Sequence, residues 1–144
     1  MGSRALFSFH DRSNQINPVN VFMQYEGEPE YAIRFLSRSR LRAWDFPRYE
    51  ANEFAAAFIA VNKLGAGGYR IMPCGDPAVI IPRFCSDIDF RYEIGPCITA
   101  SPWVSGYAVN ALAQYHERHL FSGSLDSLCR YPERLGEPES FEVA

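Results

Sequence analysis

Apolar and polar residues alternate over residues 4–10, and they alternate again over residues 19–25. A period of two is typical of a β-strand with one buried face. The polar stretch between the two segments, residues 11–18, has the composition of a turn. The pattern therefore predicts a β-hairpin at the start of the chain, with a half-buried first strand.

Two segments then show the spacing of amphipathic helices. The first begins near Glu30 and is expected to end before Pro47, because the residue preceding a proline is pushed out of the α region. The second covers residues 49–64, where apolar residues recur at i, i+3, i+4 and i+7 from Phe54. We expect this second helix to supply most of the hydrophobic core.

The second half of the chain has shorter elements. Further strands are predicted at residues 69–72, 89–94 and 117–122. Residues 107–116 fit a helix and a strand equally well. Residues 73–86 contain three prolines, which predicts a long excursion with an edge strand near residues 79–81. Ser124 is expected to cap a short last helix.

These elements predict an α+β fold, in which an antiparallel sheet opened by the N-terminal β-hairpin is covered on one face by two helices. The chain has 144 residues, of which 47% are hydrophobic. A chain of this size buries roughly 70% of its unfolded surface, so its core needs neither disulfides nor a metal ion. We expect one globular domain over residues 1–132 and an acidic, flexible tail over residues 133–144.

Charge is concentrated at the C-terminal end. The formal net charge is −3, and residues 133–144 hold four glutamates against one arginine, so residues 1–132 sum to zero. A neutral body has no overall field to attract nucleic acid. Of the 14 basic residues only Lys63 is not an arginine. Arginine makes forked and stacked contacts that lysine does not make.

The four cysteines give no sign of a metal site or a disulfide framework. Cys74, Cys85, Cys97 and Cys129 are isolated, whereas zinc sites use closely spaced pairs. We interpret them as reduced, small apolar residues. The HERH segment at 116–119 has its histidines three apart, not four apart as in the zinc-protease helix. We expect no metal and no cofactor.

The glycines of GAGGYR, residues 65–70, do not indicate a phosphate-binding loop. They follow the predicted second helix, where the helix dipole is negative, and the lysine of a phosphate loop is missing. No apolar run reaches the length of a membrane-spanning helix, and the N-terminus has no signal-peptide core. We therefore expect a cytoplasmic protein with no membrane partner.

Five segments of the chain form a recognisable set: MGSRALFSFHD, VFMQYEGEPE, WDFPRYEANEFAAAFIAVNKLGAGGYRI, DFRYEI and LFSGSLDSL. Together they resemble a family of small phage, prophage and bacterial proteins that has no settled biochemical activity. Members typically start MGTRA, carry an aromatic-Asp-Gly-Tyr-Pro turn and continue into a PRFEADEFAAAF helix. The turn differs, since Glu-Gly-Glu-Pro at residues 26–29 replaces Asp-Gly-Tyr-Pro.

The resemblance implies an origin more than a chemistry. A small stand-alone domain of phage or prophage type often acts by binding a host protein, host defence complexes included, and it would work in the host cytoplasm. We therefore expect a non-catalytic accessory protein that occupies the surface of a host macromolecule. In its anti-defence form it would inhibit a host defence complex.

The candidate contact residues are arginines and aromatic residues, the types enriched at binding hot spots. Arg34, Arg38 and Arg42 recur every four residues and are expected to line one face of the first helix, with Trp44 at its end. The alternative interpretation assigns no binding role: the arginines lie on a solvated helix face and cover apolar neighbours. Trp103 and Tyr107 are expected in an exposed loop, and Tyr25 is a further candidate contact.

Two other functions stay open. The arginine-rich first helix is compatible with a nucleic-acid-binding accessory protein, with Trp44 stacking on a base. A small enzyme would require a concave pocket in which His10 meets a carboxylate or a thiol. The sequence has no GxSxG elbow and assigns no catalytic residue.

Overall fold

A computed structural model describes residues 3–11, 18–63, 68–96, 101–110 and 115–136 of the chain. A six-stranded sheet forms its centre, in the order β3-β2-β1-β4-β5-β6. The strands are β1 (Ala5–Phe9), β2 (Val19–Met23), β3 (Tyr69–Met72), β4 (Phe90–Gly95), β5 (Trp103–Asn110) and β6 (His116–Ser124). The helices are α1 (Pro29–Ser39), α2 (Ala51–Asn62), α3 (Pro77–Phe84) and α4 (Leu125–Arg130), and a 3₁₀ turn (Pro132–Gly136) follows α4.

The sheet is mostly antiparallel, as expected, but it contains one parallel pair. β1 pairs antiparallel with β2, which confirms the predicted hairpin. On its other side β1 runs parallel to β4, with Ala5 opposite Phe90 and Phe9 opposite Ile94. A parallel pair needs a long crossover connection, and here the chain from β2 to α3 provides it. The expectation of a purely antiparallel sheet is therefore wrong at this seam.

The main core lies between the sheet and the helices α1, α2 and α4, on what we call the α1–α2 face. Phe54 and Phe58 of α2 contact Phe9 of β1, with ring centroids 5.9 and 5.5 Å apart. Phe58 also lies 4.6 Å from Phe7. Tilted aromatic pairs of this kind add to the stability that burial itself gives. The predicted central role of the second helix agrees with this packing.

The opposite face of the sheet, the α3 face, is also partly covered, so the prediction of helices on one face only is wrong. Ile80 and Ile81 of α3 pack with Leu6 of β1 and Phe22 of β2. Since Leu6 is fully buried, as are Ala5 and the rest of β1, the first strand is buried on both faces and not half-buried.

Helix α3 replaces the excursion and edge strand predicted for residues 73–86. Asp76 caps the helix, since its Oδ1 accepts a hydrogen bond of 2.9 Å from the amide of Ala78. Pro77 occupies the first turn, where a missing N–H costs nothing. Pro82 removes only one hydrogen bond from an eight-residue helix. The prolines exclude a central strand, but they do not exclude a short helix.

Helix α1 ends earlier than predicted, at Ser39. The hydroxyl of Ser39 donates a hydrogen bond of 2.7 Å to the carbonyl of Phe35, and the side-chain amide of Asn62 donates one of 3.0 Å to the same carbonyl. From Arg40 to Arg42 the backbone makes i→i−3 bonds instead of α-helical ones. Side-chain hydrogen bonds therefore satisfy a carbonyl at the end of the helix, and Arg42 lies beyond that end.

The ambiguous segment 107–116 contains the end of β5 and the start of β6, with residues 111–114 outside the described part. Ser124 caps α4 as predicted, because its Oγ accepts from the amide of Ser127 at 3.1 Å. Leu135 of the 3₁₀ turn is buried in the main core. The predicted tail lies outside the described residues from position 137. Within the described part, no helix is long and apolar enough to cross a bilayer.

Candidate functional site: two arginine environments

Exposed arginines surround α1 and the turn that follows it. Arg34 and Arg38 lie one helical turn apart on α1, and Arg42 is exposed in the turn beyond the helix. Arg48 stacks on the ring of Trp44, with its guanidinium carbon 3.7 Å from the ring centroid. We call the four arginines Arg34, Arg38, Arg42 and Arg48 the basic surface.

The basic surface has no carboxylate partners in the part of the chain that the structure describes. Arg34 and Arg38 lie near their own neighbouring rings, Tyr31 and Phe35, at 5.4 Å from each centroid. Arg38 also donates a long hydrogen bond of 3.4 Å to Asn62. Ion pairs among the described residues use other arginines, namely Arg4, Arg40 and Arg91. The charge of the basic surface is therefore available to an external anion.

Two contacts position Trp44, one at its backbone and one at its ring. Its backbone amide donates to Oε1 of Glu53 at 3.2 Å, and Arg48 covers one face of its ring. The ring is half-buried. Trp44 thus lies at the predicted end of the arginine row, and the stacked Arg48 is a contact residue that sequence spacing did not single out.

A groove runs along the basic surface, between α1 and the segment formed by α4 and the 3₁₀ turn. Its volume is about 590 Å³. Arg34 and Arg38 line its α1 wall. The opposite wall carries Leu128 and Leu135, and Leu41 lies at the edge with 80% of its surface exposed. The groove therefore combines cationic and apolar side chains.

Trp103 and Tyr107 lie elsewhere, on the α3 face of the sheet. Both belong to β5 and not to the predicted loop. Two-residue periodicity places them on the same face as Arg91 and Glu93 of β4, since Tyr107 is opposite Arg91 in the register. The predicted contact residues are therefore divided, with four on the α1 side and two on the α3 face. The further candidate Tyr25 follows β2 and has 58% of its surface exposed.

The α3 face contains a buried arginine with two carboxylate partners. Arg91 is only 6% exposed. Its Nε and Nη2 donate to the two oxygens of Glu117 at 2.9 and 2.7 Å, and its Nη1 lies 3.2 Å from Oε1 of Glu93. Tyr107 stacks on the guanidinium at 4.3 Å, and Tyr115 donates to Glu117 at 2.7 Å. We call Arg91, Glu93, Glu117, Tyr107 and Tyr115 the charged cluster.

The pKa values in the charged cluster follow from these contacts. The contact with the ring of His10, together with Arg91, outweighs burial and lowers the pKa of Glu93 to about 2. Burial opposes the ionised form of Glu117, but the hydrogen bonds from Arg91 and Tyr115 prevail and lower its pKa. Burial and the adjacent carboxylates raise the pKa values of Tyr107 and Tyr115. The cluster is therefore fixed as one cation between two anions near neutral pH.

His10 meets a carboxylate, as the enzyme alternative requires, but the pair is already engaged. Its Nε2 lies 3.1 Å from Oε2 of Glu93, a close contact without a well-aligned hydrogen bond. Glu93 is also bound by Arg91. Among the described residues, no hydrogen bond joins the ring of His10 to a serine or cysteine side chain. The contact orients His10 but supplies no nucleophile.

The HERH segment lies in the regular first part of β6, so His116 and His119 point to opposite faces of the sheet. Glu117 belongs to the charged cluster, and Nε2 of His119 lies 2.6 Å from the hydroxyl of Ser122. Ser122 is itself buried and shares a hydrogen bond of 2.7 Å with Ser105. Within the described part of the chain, no group of three or more metal-ligating side chains is present.

Comparison of the chain with protein-family models, with curated proteins and with solved structures finds no match in any of the three. The geometry of the two arginine environments therefore carries the functional inference.

Proposed function

We propose that this protein is a non-catalytic binding protein that attaches to an acidic surface of another protein through its basic surface. The observation that carries the proposal is the contrast in pairing: the exposed arginines of the α1 side have no carboxylate partner among the described residues. An arginine that is exposed and unpaired keeps its full capacity for forked contacts with a partner's carboxylates.

Apolar exposure beside these arginines favours a protein over a nucleic acid. Leu41 has 80% of its surface in contact with solvent, and it lines the same groove as Arg34 and Arg38. A phosphate backbone gains nothing from an exposed leucine, whereas a protein interface combines arginine with apolar contacts. The neutral charge of residues 1–132 also provides little long-range attraction for nucleic acid.

The expectation of a phage-type inhibitor of a host defence complex is one form of this proposal. It adds an identity to the partner, and the resemblance of the N-terminal segments to phage and prophage proteins is what motivates it. A domain that acts by occupation needs an accessible, chemically distinct patch, and the basic surface has both properties.

Affinity capture from a bacterial lysate tests the proposal. We would compare the wild type with the triple variant Arg34→Glu, Arg38→Glu and Arg42→Glu, with and without nuclease, and identify retained proteins by mass spectrometry. The matched control carries the same charge change on exposed arginines outside the basic surface, Arg70→Glu, Arg83→Glu and Arg118→Glu. We expect a protein that the wild type and the control retain and the triple variant loses.

Two results would contradict the proposal. Retention that survives the triple change removes the basic surface as the contact. Retention that disappears with nuclease, together with a steep loss of affinity as salt is added, assigns the surface to nucleic acid instead.

A further inference from the structure

We propose that the groove between α1 and the α4–3₁₀ segment binds an extended acidic peptide segment of the partner in which carboxylates alternate with apolar side chains. This inference rests on the proposed function and adds the chemistry of the partner. The two walls of the groove differ in character, and that difference specifies the occupant.

The α1 wall presents cations at a defined spacing. Arg34 and Arg38 are four residues apart on a helix, which separates them by about 6 Å along the axis. Carboxylates two residues apart on an extended chain are separated by about 6.6 Å. An extended peptide with a glutamate or aspartate at every second position therefore matches both arginines in one register.

The opposite wall presents apolar side chains. Cys129 of α4 and Pro132 of the 3₁₀ turn are exposed along it, and Leu128 and Leu135 lie buried beneath them in the main core. On an extended peptide the residues between the acidic ones point the other way, toward this wall. Alternation of acidic and apolar residues thus satisfies the two walls at once, with charge complementarity on one side and apolar burial on the other.

Glu30 limits where the acidic residues of the peptide can bind in the groove. It lies at the α1 end of the groove, one turn before Arg34. A carboxylate of the partner is repelled there, so the acidic positions of the peptide align with Arg34 and Arg38 only. The volume of about 590 Å³ is within the range of sites that enclose a few side chains.

Of the three cysteines within the described residues, two are exposed, and they give a direct readout of occupancy. Cys129 lines the groove, whereas Cys74 is exposed but precedes α3 and does not line it. The rate at which iodoacetamide alkylates each thiol, measured by mass spectrometry, therefore compares the groove with an internal reference in the same molecule. Cys85 is buried, and burial raises its pKa to about 11, so it reacts slowly.

The probe is a synthetic peptide in which glutamate alternates with leucine. Its controls replace every leucine by serine, or every glutamate by serine, and a single-stranded oligonucleotide represents nucleic acid. At a peptide concentration about ten times the Kd, mass action leaves about one-tenth of the protein free, so alkylation of Cys129 should slow about tenfold. The rate at Cys74 should stay unchanged.

Variants locate the effect. Arg34→Glu with Arg38→Glu should restore the fast alkylation of Cys129, and Arg83→Glu with Arg118→Glu should leave the protection intact. Each variant's far-UV circular dichroism and melting temperature verify that it is folded. Leu41→Ser, at a position that is 80% exposed, should weaken protection without unfolding the protein.

Three results would overturn the inference: fast alkylation of Cys129 in the presence of the alternating peptide, equal protection by the peptide without leucine, or protection by the oligonucleotide alone. The proposed function fails separately, in lysate capture. If capture depends on the arginines while the alternating peptide leaves Cys129 reactive, the basic surface binds a protein but the groove does not take this segment.

Discussion

Arg91 and Arg38 are both arginines, but they differ in burial and in their carboxylate partners. Arg91 is buried on the α3 face, with two carboxylates and a tyrosine ring around its guanidinium. Arg38 is exposed on α1 and has only a neighbouring ring and a long hydrogen bond to Asn62. The first is part of the folded structure, and the second is available for binding. Pairing and burial therefore separate structural from functional arginines in a chain whose basic residues are almost all arginine.

The largest expected effect comes from removing the buried cation. Arg91→Ala removes the cation that Glu93 and Glu117 share, and breaking a buried pair in this way should cost about 3 kcal/mol of unfolding free energy. Urea unfolding measures it. Arg118→Ala, at an exposed position of β6, is the matched control and should change stability by less than about 0.5 kcal/mol. Equal losses in the two variants would remove the distinction between the environments.

Steric crowding on the other face of β5 should give the next largest effect. A Cβ atom on Gly106 would lie 2.6 Å from ring carbons of Phe121, which is fully buried. Gly106→Ala should therefore destabilise the fold by about 2 kcal/mol through overpacking. Gly95→Ala is the control, because the nearest atom to its Cβ would be 3.9 Å away. Urea midpoints that match for both variants would show that β5 can shift away from Phe121.

Acid should weaken the charged cluster before it affects the basic surface. The pKa of Glu93 is lowered from 4.5 to about 2 in the folded protein, so its stabilisation is present above pH 4.5 and is lost as the pH falls toward 2. Because the side chain is partly exposed, we expect a loss of about 1 kcal/mol between pH 5 and pH 3. Urea unfolding of the wild type and Glu93→Gln at both pH values measures the difference. A variant that loses as much stability as the wild type would contradict this assignment.

The smallest effect on stability is expected at the basic surface. The triple change Arg34→Glu, Arg38→Glu and Arg42→Glu breaks no ion pair among the described residues, so the unfolding free energy should stay within about 0.5 kcal/mol of the wild type. Thermal melting followed by circular dichroism measures this. A drop comparable to that of Arg91→Ala would mean that the two environments are equally structural.

The local parts of the fold were predictable because each depends on neighbouring residues. Alternation located β1, β2 and β4, and the helical period located α2. Helix α3 was missed because three prolines outweighed the start signal formed by Asp76 and Pro77. Trp103 and Tyr107 were assigned to a loop because proline and glycine surround them, although they share a two-residue period.

The charged cluster was not predictable from spacing. Arg91 and Glu117 are 26 residues apart, and they meet only because β5 lies between β4 and β6 in register. His10 reaches Glu93 through the parallel pairing of β1 with β4, which no local pattern indicates. The arginines of α1 were found because helical spacing is local, and Arg48 was missed because it follows the helix and depends on the stacked ring of Trp44.

The parallel seam between β1 and β4 also determines when this protein can fold during synthesis. The first hairpin can pair once β2 has left the ribosome, but the other edge of β1 has no partner until β4 has been translated. Pairing of β1 with β4 then connects the hairpin to β4, β5 and β6 and completes the sheet. Until that step β1 has an unpaired apolar edge, and at that edge aggregation competes with folding.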